Sequence, residues 1–355
     1  MFLLIFSFVF QNLFRRHRGA SPKRGNFPWL RYYDAKLQLN FLPVKFSAYF
    51  LRKKYFQAVK SGNFASGLLY PQELIPFFRD TSEEAHISIY GKGGKGKSKN
   101  ERNMKKVVIM GASSGIGFAV AEALASRGVK VGLATRHTDP LRLLKERYPE
   151  MVEYAQIDVT HPAAPEQMGQ LINRLGGMDI YFHVAGIGYE NLELEPEREV
   201  EIIATNAGGF ARMLCSAYRY FRDKGGKGQI AAISSVAGTK GIGRLSAYSS
   251  SKKFAQTYLV ALEQLAHEEG VDVRFTDIRP GWVHTPLLVE GLKYPMEMEL
   301  DYVVPQVIKA IVRKKRVAVI DWRWNLLVGA WRLLPNCIWT RMNVPISSPD
   351  SPLPE

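Results

Sequence analysis

The sequence predicts an open, doubly wound α/β fold in which a parallel sheet carries helices on both faces. Three observations carry this. From Val107 onward, short apolar runs alternate with helical patterns. Alternation of that kind means βαβ units and a parallel sheet. The runs (VVIM, VGLA, IAAI) are apolar throughout, as strands covered on both faces must be. A glycine-rich turn joins the first run to the first helix.

The elements follow in order. Strands are expected near 106–110, 130–135, 153–157, 179–184, 229–234, 272–278 and 316–320. Helices are expected near 116–127, 139–147, 164–175, 197–222, 246–268 and 302–313. Gly128 is the expected stop of the first helix. Glu190 to Glu201 reads as a solvated helix start, where carboxylates meet the positive end of the dipole. Three regions result: a basic, poorly patterned extension over 1–103, a catalytic domain over 104–321 and a Trp-rich tail over 322–355.

Composition narrows the function. Two cysteines, Cys215 and Cys337, are too few for a disulfide scaffold and point to a reducing, cytoplasmic compartment. The seven histidines show no paired ligand spacing, so no metal site is expected. The net charge of +15 suggests nucleic acid until it is divided along the chain. Residues 1–103 hold 18 Lys/Arg and 6 Asp/Glu, and the remainder holds 30 and 27. The folded body is therefore nearly balanced and carries no nucleic-acid footprint. Residues 2–10 are apolar but far short of the ~20 needed to span a bilayer, and they lack the flanks of a signal peptide. Gly91 to Arg102 reads as a solvated linker. Met104 directly precedes the first strand, so it is the expected natural start. The alternative is a basic extension that adheres to membranes.

The turn Gly111-Ala-Ser113-Ser114-Gly115-Ile116-Gly117 lies between strand and helix. In that context it fits a Rossmann-like dinucleotide turn. A pyrophosphate must approach backbone closely at a helix N-terminus, where N–H groups are unpaired. The second strand ends in Thr135-Arg136, with no carboxylate for a ribose 2′-OH. A guanidinium suits a 2′-phosphate, which favours NADP(H) over NAD(H).

Tyr248 and Lys252 stand at i and i+4 on one helix face. Ser235 ends the strand before them, and Asn206 lies in the preceding long helix. With the glycine turn, this set resembles the short-chain dehydrogenase/reductase family from about Met104 to Ser347. The resemblance implies the catalytic tetrad Asn206, Ser235, Tyr248 and Lys252. It implies cofactor contacts from Asp158 and Val159, from Ala185 and Gly186, and from Pro280, Gly281, Val283 and Thr285. It also implies a homodimer or homotetramer joined through the long helices. One departure stands out: the family's Asn-Asn-Ala-Gly is His183-Val184-Ala185-Gly186 here. His183 is either a proton carrier or a satisfied structural histidine, with the second favoured.

The expected chemistry is interconversion of a carbonyl and an alcohol, with Tyr248 as general acid or base. A free phenol titrates near ~10. Bringing it to neutrality takes roughly 4 kcal/mol, which a buried ammonium at Lys252 supplies with the oxidised nicotinamide and an exposed one does not. Lys252 would also bind the nicotinamide ribose, and Asn206 would fix a water linking Lys252 to solvent. The rivals are a nucleotide-sugar epimerase or dehydratase, and a membrane-associated nucleotide-binding protein with an idle site. Substrate walls are expected from Ile187 to Asn191, Ala237 to Leu245 and Trp282 to Tyr294, including Tyr189, Trp282 and His284. Residues 322–342 suit a tail that covers the pocket or joins subunits, or a peripheral membrane contact.

Overall fold

Every second residue of a strand faces the same way, and the first strand shows the consequence. Val107 and Ile109 enter one core, while Val108 and Met110 enter the other. The computed structural model describes residues 105–289, 291–344 and 346. The expectations for residues 1–103 lie outside them.

The strands are β1 (Lys106–Met110), β2 (Lys130–Thr135), β3 (Val152–Gln156), β4 (Ile180–His183), β5 (Lys227–Ile233), β6 (Asp272–Pro280) and β7 (Val317–Ile320). They form one sheet in the order β3-β2-β1-β4-β5-β6-β7. Every pairing is parallel. The order reverses between β1 and β4, so the carboxyl ends of Met110 and His183, which lie in register, border the crevice where such sheets bind ligands.

The helices are α1 (Gly115–Ala125), α2 (Asp139–Arg147), α3 (Ala164–Leu175), α4 (Pro196–Ile203), α5 (Phe210–Asp223), α6 (Ser246–Glu268), α7 (Leu300–Val312), α8 (Trp322–Leu333) and α9 (Asn336–Trp339). Helices α1, α2, α7 and α8 bury their apolar sides in one core. Helices α3, α5 and α6 bury theirs in the other. The doubly wound fold is as the patterning required.

Two expectations need correction. The single helix expected over 197–222 is three segments: α4, a π-helical stretch at Ala204–Gly209 and α5. Its start is Pro196, with Glu197 and Glu199 in the first turn. The first helix ends at Ala125, short of Gly128, which adopts a left-handed φ of 76° in the turn beyond.

Part of the Trp-rich segment is built into the body. Trp324 and Val328 of α8 are buried beside Val283, Met298 and Ile320. The Trp324 indole lies where a Cβ on Gly281 would be. Trp339 and Ile346 pack with Ala237, Ile242 and Leu245, and Trp331 stacks edge-on against Trp339 at 5.2 Å. Trp339 Nε1 donates to Gly241 O at 2.7 Å, and Lys240 Nζ donates to Leu334 O at 3.0 Å. The outer face of α8 carries the exposed Trp322, Leu326 and Leu333. No helix among the described residues is long and apolar enough to cross a membrane.

Candidate active site

The glycine turn forms where β1 must hand over to α1 in the least space. Gly111 has a φ of 91°, and a Cβ there would overlap the backbone nitrogen of Ala185. An L-residue would meet both a strained dihedral and a steric block. A Cβ on Gly117 would overlap the Gly111 carbonyl, so α1 starts hard against the turn. Gly115 sits beside Thr285, whose side chain would lie 3.1 Å from an added Cβ. Ser113 and Ser114 complete the turn, and Ser114 precedes α1 without its side chain capping it. Ile116 is buried on the sheet side of α1. The first-turn N–H groups of α1 are thus left for an anion.

Arg136 is exposed at the end of β2. Its carbonyl accepts from Gln156 Nε2 at 3.1 Å. Asp158 follows β3, and its Oδ1 accepts from Thr160 N at 2.8 Å and Oγ1 at 2.7 Å. Burial works to raise the carboxyl, but these two bonds and the Arg136 charge hold it below its ordinary value. Val159 is buried against Gly209, and its carbonyl accepts from Arg212 at 2.7 Å.

Asn206 lies within the π stretch, and its amide exchanges two bonds with Ile187: N to Oδ1 at 2.9 Å and Nδ2 to O at 2.7 Å. Nδ2 also reaches Ser251 Oγ at 3.1 Å. A Cβ on Gly186 would lie 3.1 Å from Asn206 Oδ1 and 3.3 Å from Lys252 Nζ, so all three converge.

Tyr248 and Lys252 lie one turn apart on α6. Lys252 is 7% exposed, and its ammonium sits 5.5 Å from the Tyr248 ring centroid. It donates to Ile233 O at 3.3 Å. Burial pushes the ammonium down to about 8, against the upward pull of the Asp277 carboxylate. Burial likewise raises the Tyr248 phenol, and its hydrogen bond with Ser235 works the other way. In the chain alone the phenol therefore moves upward, opposite to the lowering expected from Lys252, because desolvation of the anion outweighs the neighbours. Ser235 Oγ accepts from Ala237 N at 3.1 Å, and Gln256 Nε2 fixes the Ser235 carbonyl at 2.8 Å.

His183 is fully enclosed. Its Nδ1 shares a 2.8 Å hydrogen bond with Tyr181 Oη, and its ring meets Phe210 edge-on at 4.9 Å. Burial, then the Lys252 charge, drives the imidazole down to about 3. It is neutral at physiological pH; Nδ1 is paired with Tyr181, whereas Nε2 is buried without a hydrogen-bond partner, so the expected satisfied histidine is satisfied at one nitrogen only.

The three loops expected to wall the substrate come together at Tyr248: Gly188 lies against its ring, and Tyr248 packs with Trp282, Tyr294 and the tail residues of the small apolar cluster. Trp282 and Tyr294 lie 4.8 Å apart. Tyr189 is committed elsewhere: its hydroxyl donates to Glu201 at 2.8 Å. His284 is exposed and bonded to Glu297 at 2.8 Å. Pro280 ends β6, and Gly281 follows it beneath Trp324.

Sequence reasoning missed Ser234, Ser251, Asp277, Arg279 and the packing role of Trp324. One signal was present: Asp277 and Arg279 stand two apart on one face of β6, in its buried half.

The fold and this cluster define a dinucleotide-binding oxidoreductase. The profile of the short chain dehydrogenases matches residues 105–293. The chain is 32% identical over 243 residues to an uncharacterized oxidoreductase of Myxococcus xanthus, covering 66% of this chain and 95% of that one. It is 31% identical over 187 residues to the 3-oxoacyl-acyl-carrier-protein reductase of Escherichia coli, covering 52% and 75%. Among solved structures it is similar to an alcohol dehydrogenase from Thermococcus sibiricus complexed with 5-hydroxy-NADP, at 28% identity and a TM-score of 0.52, covering 61% and 94%. The chain belongs to the short chain dehydrogenase family and is an NAD(P)-dependent oxidoreductase.

Proposed function

We propose that the protein is an NADP(H)-dependent oxidoreductase that interconverts a carbonyl and a secondary alcohol, with Tyr248 as the proton-transfer residue. The observation that carries this reading is the buried Lys252 ammonium 5.5 Å from the Tyr248 ring, with Ser235 hydrogen-bonded to the phenol. An exposed lysine would have argued against it.

When bound, the nicotinamide supplies or accepts the hydride at the substrate carbon. The chain's own residues do the rest. Gly111, Gly115 and Gly117 admit the pyrophosphate to the start of α1, and Arg136 takes the 2′-phosphate. The related alcohol dehydrogenase complexed with 5-hydroxy-NADP supports that preference. Ser235 Oγ holds the substrate oxygen beside Tyr248 Oη. The raised phenol is neutral at physiological pH, so Tyr248 is loaded to give its proton in the reductive direction. Lys252 binds the nicotinamide ribose, and Asn206 fixes the water through which Tyr248 is reprotonated. Ala185, Gly186, Val283 and Thr285 would hold the nicotinamide half.

The test follows NADPH and NADH absorbance with a panel of carbonyl compounds. Wild-type turnover with NADPH is expected for at least one aldehyde or ketone. Tyr248→Phe should lose on the order of 10²–10⁴ in turnover while binding NADPH normally. Retained activity in that variant, or preference for NADH, would defeat the corresponding half of the reading.

A further inference from the structure

The carbonyl that Lys252 holds belongs to Ile233, and Ile233 pairs with Ile278, next to Asp277. Asp277 is 4% exposed inside a parallel sheet, where an isolated carboxylate is costly. Two side chains hold it through three contacts. Arg279 Nε donates to Oδ2 at 2.7 Å, and the second guanidinium nitrogen reaches the same oxygen at 2.5 Å. Ser234 Oγ donates to Oδ1 at 2.5 Å. Ser234 is also pinned by its own N–H to Ile278 O at 2.8 Å, and it directly precedes Ser235.

Four charged or titratable groups gather around Lys252. Tyr248 faces it from its own helix. His183 feels it from β4, and Asp277 acts on it from β6 with Arg279 bound behind the carboxylate. The π segment presents the neutral Asn206. Of these, only Asp277 carries negative charge at neutral pH, and burial of the ammonium works against its charged form.

We propose that Asp277 is a positioning residue for Lys252: a buried counter-charge, itself anchored by Arg279 and Ser234, that keeps the ammonium charged and seated on the Ile233 carbonyl. The same anchor fixes Ser234 and hence the register of Ser235. The proposal rests on the cofactor and proton role given above to Lys252, yet it can be tested without that role.

The primary readout is unfolding stability against pH in the whole chain without nucleotide. Lys252 titrates near 8 when folded and near 10.5 in its ordinary state. Between those values the unfolded chain binds more protons, so stability rises with pH across that window. The pair variant Asp277→Asn/Arg279→Gln avoids stranding the guanidinium. Its onset of the rise should move down by about one pH unit or more, and Asp277→Glu should restore it. In a Lys252→Met background the two-residue change should move nothing. An unchanged onset, or a shift that survives Lys252→Met, overturns the proposal. NADPH affinity by fluorescence is the second readout, and its loss on the basic side should move to lower pH in the pair variant. A wild type that binds no NADPH at any pH defeats the functional reading instead, and the stability cycle still decides the role of Asp277.

Discussion

The Lys252 charge acts on His183, and near neutrality only the ammonium of the two is cationic. The imidazole is held at about 3 against an ordinary 6.5. Between these values the unfolded chain takes up a proton that the folded chain refuses. Stability is therefore complete above pH 6.5 and is lost as pH falls toward 3, by about 3 kcal/mol near pH 4. His183→Gln should flatten that slope in chemical denaturation measured from pH 7 to 4. An unchanged slope would mean that the ring is not the group being titrated. At this scale the sequence was informative where chemistry fixes spacing. Tyr248 and Lys252 had to share a helix face, and they do. Asp277 was not legible, since a charge in a strand reads as an exposed edge until its partners Arg279 and Ser234 are seen.

Among the elements, the glycine turn is the least tolerant. Gly111→Ala forces a Cβ into the backbone of Ala185 at a φ of 91°. It is expected to cost about 2–4 kcal/mol and to reduce NADPH affinity by more than tenfold. Thermal unfolding and fluorescence titration check the two effects separately, and a stable variant with full affinity would refute the close approach. The strands β1, β2 and β4 were readable because a sheet buried on both faces leaves nearly unbroken apolar runs, and β3, β5 and β6, which carry polar residues, were readable from their place in the strand–helix alternation. The π stretch was not readable. Nothing in Ala204–Gly209 distinguishes i→i+5 from i→i+4 hydrogen bonding, because both turns accept the same small and polar residues. That stretch places Asn206 against Ile187.

For the molecule as a whole, the unexpected feature is how firmly Trp324, Val328, Trp339 and Ile346 are joined to the body. The composition of the tail that carries them fitted a membrane surface as well as a pocket cover, because tryptophan suits both. Trp324, buried beside Val283 and Met298, distinguishes them for the inner face of α8. Trp324→Ala should cost about 3–5 kcal/mol in denaturant unfolding. Because Gly281 and Val283 lie beneath that ring, KM should rise more than kcat falls. A near-neutral effect on stability would place the indole in solvent instead. Trp339 donates its indole proton to a carbonyl 98 positions earlier in the chain. A ribosome makes Gly241 long before it makes Trp339. A chain cut short before Trp339 therefore keeps all seven strands of the sheet but leaves the Gly241 carbonyl without the indole that meets it.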